Sequence, residues 1–245
     1  MRDDIIAIVC PDVHGRDFWE PVAKEYDGSV PFIFLGDYLD PYFREGIDEK
    51  TALNTLYRIW HFRCMYKNSV VLLLGNHDLS YCFDNARRVR YCYEIEEEAV
   101  NFMTTFFKDF KVAHEIKDNG KTFLFTHAGV NPLWLENEEF EQRYDAEYIE
   151  SLFRENVQSF FAYSHFRGHP TRFAGSPLWA DIREFDTSLC DADKFPENLM
   201  QIVGHTQLVR DKLEFPYICD IDSRKVYVIT KDHKIEPYYN EKATE

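Results

Sequence analysis

The stretch Ile5-Ile6-Ala7-Ile8-Val9-Cys10-Pro11-Asp12-Val13-His14-Gly15 joins an unbroken apolar run to a polar turn. A continuous apolar run closed by a turn signal reads as a strand buried on both faces, because a strand with one wet face would alternate. The same grammar recurs twice. Pro31 to Leu35 runs into Gly36-Asp37-Tyr38-Leu39-Asp40, and Ser69 to Leu74 runs into Gly75-Asn76-His77-Asp78. Between these strands, Phe18 to Tyr26 reads as a short helix and Asp48 to Met65 as a long one. Buried strands separated by amphipathic helices predict βαβ units and an α/β fold. In such sheets ligands bind beyond the carboxyl ends of the strands, so the three polar clusters should meet in one crevice.

Downstream, Glu94 to Phe110 reads as a helix with an acidic first turn, placed where the helix dipole favours negative charge. Lys111 to Ile116 and Thr122 to Phe125 read as strands joined through Asp118-Asn119-Gly120, and Asn-Gly is the pair that a tight hairpin prefers. A helix is expected from about Ala146 to Tyr163, then a loop rich in Gly, Pro, Arg and His, and strands at Gln201 to Val203, Tyr217 to Asp220 and Lys225 to Thr230 before the polar tail Asn240 to Glu245. Residues 1–245 are therefore read as a single domain with a less regular elaboration at about 136–198.

Composition narrows the class. The chain has 245 residues, 45% hydrophobic, with 21 Phe and 15 Tyr, which is enough apolar surface for a packed core and argues against disorder. A net charge of −15 opposes bulk attraction to nucleic acid or anionic lipid without forbidding a local cationic site. Arg2-Asp3-Asp4 before the first strand leaves no room for a secretory signal, and no apolar run approaches the ~20 residues that span a bilayer. The expectation is a cytoplasmic protein with no membrane partner. Six cysteines without a close pair fit thiols in a reducing compartment.

The polar clusters after the strands extend to Thr126-His127-Ala128-Gly129 and Gly204-His205-Thr206-Gln207. Each sets carboxylate, imidazole or amide groups beside a glycine, on an apolar strand that holds them. Residues i and i+2 of an extended segment point the same way, so Asp12 and His14 can grip one ion together. Mixed nitrogen and oxygen donors suit Mn, Fe, Zn, Ni or Co better than the oxygen shells of Mg and Ca.

In these blocks the sequence resembles the calcineurin-like metallophosphoesterases, whose pattern runs Asp-x-His, Gly-Asp-x-x-Asp, Gly-Asn-His-(Asp/Glu), a lone His after a strand, then Gly-His. All five occur in order between residues 12 and 207. The resemblance implies a four-layer α-β-β-α sandwich with two mixed β-sheets and a dinuclear metal site at the strand C-terminal edge. It assigns Asp12 and His14 to the first of two divalent or transition metal ions, with Asp37 bridging both and Asn76, His127 and His205 completing the second. It implies attack on phosphorus by a hydroxide held between the ions, with His77 protonating the leaving group and Asp40 orienting His77.

Two departures bear on substrate. Gln207 stands where many family members have a second metal-binding His, implying a looser first metal, and the phosphoprotein phosphatase branch shares that loss. Leu178-Trp179-Ala180-Asp181 and Ile221-Asp222-Ser223 also resemble elements of that branch. Against this, Asp40 is followed by Pro41-Tyr42, where the branch has the arginine that clamps phosphate. Arg44, Arg183 and the pair Arg87-Arg88 are the substitutes the sequence offers, since a guanidinium fork matches phosphate. The expected activity is hydrolysis of phosphomonoesters, most like a serine/threonine protein phosphatase, on a phosphoprotein or small phosphoester. The rivals are a diadenosine polyphosphate or cyclic nucleotide hydrolase, and a non-catalytic scaffold of the same fold.

Overall fold

The computed structural model describes residues 3–87 and 89–238. Arg2, Arg88 and the tail from Asn240 to Glu245 lie outside the described residues. Strands β1 (Ile5–Cys10), β2 (Phe32–Phe34), β3 (Val70–Leu73) and β4 (Phe110–Lys111) are followed by β5 (Ala113–Asp118), β6 (Lys121–Thr126) and β7 (Leu199–Val203), then β8 (Leu213–Phe215), β9 (Ile218–Asp220), β10 (Tyr227–Thr230) and β11 (Ile235–Pro237). They form a six-stranded sheet in the order β11-β10-β1-β2-β3-β4 and a five-stranded sheet in the order β5-β6-β7-β9-β8. Both sheets are mixed. β1 runs parallel to β2 and antiparallel to β10, while β6 runs parallel to β7 and antiparallel to β5.

Period-2 geometry divides each strand between two cores. Ala7, Val9, Ile33, Leu35, Val71 and Leu73 of the first sheet meet Phe123, Phe125, Met200, Ile202 and Cys219 of the second in one buried cluster between the sheets. The opposite faces, with Ile8, Phe32, Phe34 and Leu72 on one sheet and Leu124, Leu199 and Ile218 on the other, join a larger cluster with the helices. The expected layering, α-β-β-α, is what these two cores describe.

Helices α1 (Glu20–Glu25), α2 (Glu49–Tyr66), α3 (Asn76–Leu79), α4 (Glu96–Phe106), α5 (Pro132–Asn137) and α6 (Ala146–Glu155) complete the elements. Asp48 caps α2 by accepting the Thr51 N–H at 2.6 Å, satisfying one donor of its open first turn. Leu53, Leu56, Ile59 and Phe62 then form its buried face. No helix among the described residues is long and apolar enough to cross a membrane.

Three expectations shift. Lys111 pairs in the first sheet and Ala113 begins the second, so the strand read as Lys111 to Ile116 is a crossing point. Its backbone donors, Val112 N–H and Ala113 N–H, both reach the Glu150 Oε1 of α6 instead of a ladder partner. The helix expected to Tyr163 stops at Glu155, where Asn156 leaves the helical region and a 3₁₀ turn follows over Val157–Phe161. The helix expected over Glu94 to Phe110 is α4 flanked by 3₁₀ turns at both ends, with Phe110 already in β4. The hairpin stands as read: Asp118 pairs with Lys121, and Asn119 and Gly120 take φ 44° and 83° as a type I′ turn requires.

Candidate active site

Each of the five polar blocks leaves the carboxyl end of a strand, after β1, β2, β3, β6 and β7, and all five converge. Asp12, His14, Asp37, Asp40, Asn76, His77 and His127 are buried. Backbone geometry aims them: His14, Asp37, Asp40 and His205 adopt φ of 46°, 53°, 58° and 70°, a region that residues other than glycine rarely occupy. Strain of this kind, of order 1–3 kcal/mol per residue, persists only where the surroundings over-determine it. Here they do. A Cβ on Gly75 would lie 2.0 Å from Asp37 Oδ1, and one on Gly204 would lie 2.4 Å from Asp12 Oδ1, so the glycines clear the space these carboxylates occupy.

Asp78 ties two loops together by accepting N–H bonds from Gly75 at 2.7 Å, Asp37 at 2.7 Å and Tyr38 at 3.1 Å. The His77 N–H donates to Asp37 Oδ1 at 2.9 Å, and the His205 N–H to Asp12 Oδ1 at 3.0 Å. His14 Nδ1 is bonded to the Leu39 carbonyl at 2.8 Å and His127 Nδ1 to that of Leu35 at 2.8 Å. A carbonyl accepts only, so both rings carry their proton on Nδ1 and present the Nε2 lone pair. That atom of His14 stands 3.5 Å from Asp37 Oδ2, and that of His127 stands 3.6 Å from Asp37 Oδ2 and 3.1 Å from both Asn76 Oδ1 and His205 Nδ1.

Asp12, Asp37, His127 and His205 form one group whose potential ligand atoms lie within 4.8 Å of one another, and His14, Asp37 and His77 form a second. Asp37 belongs to both. Burial is the main force holding the His14, His127 and His205 imidazoles below their ordinary range, as a ligand must be to offer a lone pair. Burial, then the Asp12 carboxylate, drives Asp37 well above its usual range, and burial pushes Asp78 up to about 7. His205 Nε2 is buried with no hydrogen-bond partner among the described residues. Crowded carboxylates, lone pairs turned inward and an unpaired buried nitrogen are what a cationic centre would compensate, so the residues fit metal ions.

Beside this centre His77 Nδ1 bonds Asp40 Oδ2 at 2.7 Å. The other carboxylate oxygen of Asp40 takes the Tyr81 hydroxyl and the Cys92 N–H. The sequence pairing of His77 with Asp40 is thus a contact in space, while Tyr81 and Cys92 carried no signal of it.

The arginines fall out differently. Arg44 is exposed, and its side chain makes no hydrogen bond or ion pair among the described residues. Arg183 is forked onto Asp181 at 2.7 and 2.9 Å, and Arg87 pairs with Glu96 at 2.7 Å. Arg167, read only as part of a loop, reaches Asp181 at 3.1 Å and Thr206 Oγ1 at 2.9 Å and donates to the His205 carbonyl. The clue was Asp181 in the Leu-Trp-x-Asp element, which needed a cationic partner. Trp179 of that element is 7% exposed, with its ring 6.1 Å from that of His205, so it walls the site as core. Gln207 is exposed.

The calcineurin-like phosphoesterase profile matches residues 7–207, and the chain belongs to that family. It is a metal-dependent phosphoesterase, a hydrolase acting on phosphorylated substrates. Among solved structures, a cold-active protein tyrosine phosphatase is similar with a TM-score of 0.59 and 17% identity, over 97% of this chain and 80% of that one. A protein serine/threonine phosphatase from Saccharomyces cerevisiae, with similarity to human phosphatase PP5, gives a TM-score of 0.58 at 14% identity, over 97% and 81% of the two chains. At these identities the likeness concerns the fold.

Proposed function

We propose that the chain hydrolyses phosphomonoesters in the cytoplasm, as a single domain of the serine/threonine phosphoprotein phosphatase kind, with Asp12, His14 and Asp37 holding one metal ion and Asp37, Asn76, His127 and His205 the other. Mn, Fe, Zn and Ni suit this donor set. When bound, such ions supply an activated water and neutralise phosphoryl charge. The residues do the rest. Asp37, between the two groups, sets their spacing, and the Leu35 and Leu39 carbonyls fix the tautomers of His127 and His14. His77, its Nδ1 committed to Asp40, has Nε2 left to give a proton to the departing oxygen. Asp40 is itself held by Tyr81 and the Cys92 N–H, so the imidazole is oriented before substrate arrives.

The observation that carries this reading is the sharing of Asp37 by two donor groups, with an oriented His77 next to them. Its test is turnover of a phosphoserine peptide, a phosphotyrosine peptide, p-nitrophenyl phosphate, bis-p-nitrophenyl phosphate and diadenosine tetraphosphate under Mn²⁺. Monoesters should be preferred, phosphopeptides among them. Preference for the diester or the dinucleotide would replace the reading with a nucleotide hydrolase.

A further inference from the structure

The loop after Asp40 lacks an arginine, yet a guanidinium stands there. Arg90 donates to the Asp40 carbonyl at 3.0 Å, and its guanidinium carbon lies 3.8 Å from the centre of the Tyr42 ring. The other side of this contact leads into the site: the Tyr42 ring meets the His14 ring edge-on at 5.0 Å, and His14 meets His77 edge-on at 5.0 Å. Asp40 is therefore held at both ends, its carbonyl by Arg90 and its carboxylate by His77.

Most arginines around the site are committed elsewhere: Arg16 is forked onto Glu45, Arg167 and Arg183 share Asp181, Arg172 pairs with Glu138, and Arg224 pairs with Glu45. Arg44 is also unpaired among the described residues, but it is Arg90 that hydrogen-bonds the Asp40 backbone. Arg90 is an exposed arginine in no ion pair among the described residues, and it lines one open cleft of about 470 Å³ with Asp40, Tyr91 and, further along, Asp48, Glu49 and Glu94. An arginine has five donors in a fixed fork; the bond to the Asp40 carbonyl and the brace on Tyr42 limit its freedom while leaving other donors of the fork for a ligand. A cation so arranged, two ring contacts from His77 and tied up in no ion pair among the described residues, is organised for an oxyanion.

We propose that Arg90, braced on Tyr42, is the guanidinium that receives the phosphoryl oxygens of the substrate. This rests on the phosphoesterase reading and assigns to it a residue from a segment 50 positions downstream of Asp40. Tyr42 acts through Arg90 and is a positioning residue.

The test compares wild type with Arg90→Ala and Arg90→Lys, reading KM and kcat for p-nitrophenyl phosphate, the inhibition constant of inorganic phosphate and the metal bound per chain. Arg90→Ala should raise both KM and the phosphate inhibition constant by about 10–100-fold, the cost of losing hydrogen bonds to a charged group, with bound metal unchanged. Lysine should recover only part, since it restores charge without the fork. An inhibition constant within about two-fold of wild type in folded, metal-loaded Arg90→Ala would overturn the proposal. So would a fall in kcat alone, which would reduce Arg90 to a brace for Asp40. Should wild type turn over no phosphoester, the activity reading fails separately, and calorimetric titration with inorganic phosphate decides Arg90: binding lost in Arg90→Ala sustains its role, and binding unchanged ends it.

Discussion

Where β1, β2 and β3 of the six-stranded sheet end, the crevice receives Asp12, Asp37, Asp40 and His77; where β6 and β7 of the five-stranded sheet end, it receives His127 and His205, backed by Arg167 and Trp179. The first edge is acidic and strained, with three residues at positive φ and Asp37 pressed well above its usual range by burial and by Asp12. The second is imidazole-rich, and the cation behind it is neutralised by Asp181. The first edge carries crowded negative charge that bound cations would offset, whereas the charges behind the second are already paired, though both edges offer ligands to the ions. Perturbations should therefore separate them.

The largest effect is expected at the acidic edge. His77→Ala should lower kcat by about 10²–10⁴-fold, the usual worth of a positioned acid, while leaving bound metal unchanged. Because His77 also lies in a donor group with His14 and Asp37, loss of metal from this variant would make it a ligand instead. Chelation comes next. With free metal at 100–1,000 times its dissociation constant, removing it should cost about 3–4 kcal/mol of unfolding free energy. Hydrogen exchange should then rise at residues 37–40 and 75–79 more than at 175–184, and equal rises would erase the contrast.

The balanced edge has its own titration. Burial raises Glu184 from its ordinary 4.5 to about 7, where it accepts N–H bonds from Gly175 and Asp181 at 2.8 Å each. The folded state then holds a proton that the unfolded chain has released. Stability is full below pH 4.5 and falls as pH rises toward 7, by up to about 3 kcal/mol. Denaturant unfolding of wild type against Glu184→Gln from pH 4.5 to 7 should show the variant gaining ground, and parallel curves would contradict the assignment. The smallest effects are steric. Gly75→Ala and Gly204→Ala press a methyl against Asp37 and Asp12 and should each cost about 1–3 kcal/mol, with weaker metal binding for both.

The acidic edge was legible in the sequence because each of its groups follows a short apolar strand with a glycine beside it, so local pattern and final position coincide. The hairpin was legible for the same reason. What escaped depends on contacts between distant segments. Arg90 reaches Asp40 only because it packs on Tyr42, and Arg167 reaches His205 only because Asp181 and Thr206 hold it. β8 and β11 are three residues each and carry a glutamate at their centres, too short for a period to show. Lys111 and Ala113 lie in one stretch that reads as a single strand, yet in different sheets, with Glu150 of α6 taking the N–H groups of Val112 and Ala113.

The most direct test is p-nitrophenyl phosphate turnover measured against Mn²⁺ bound per chain, in wild type and in Asp37→Asn. Turnover should be absent in stripped wild type and saturate at about two ions per chain, and Asp37→Asn should lose both the ions and the activity. Undiminished turnover by fully stripped protein, or by Asp37→Asn, would contradict the account.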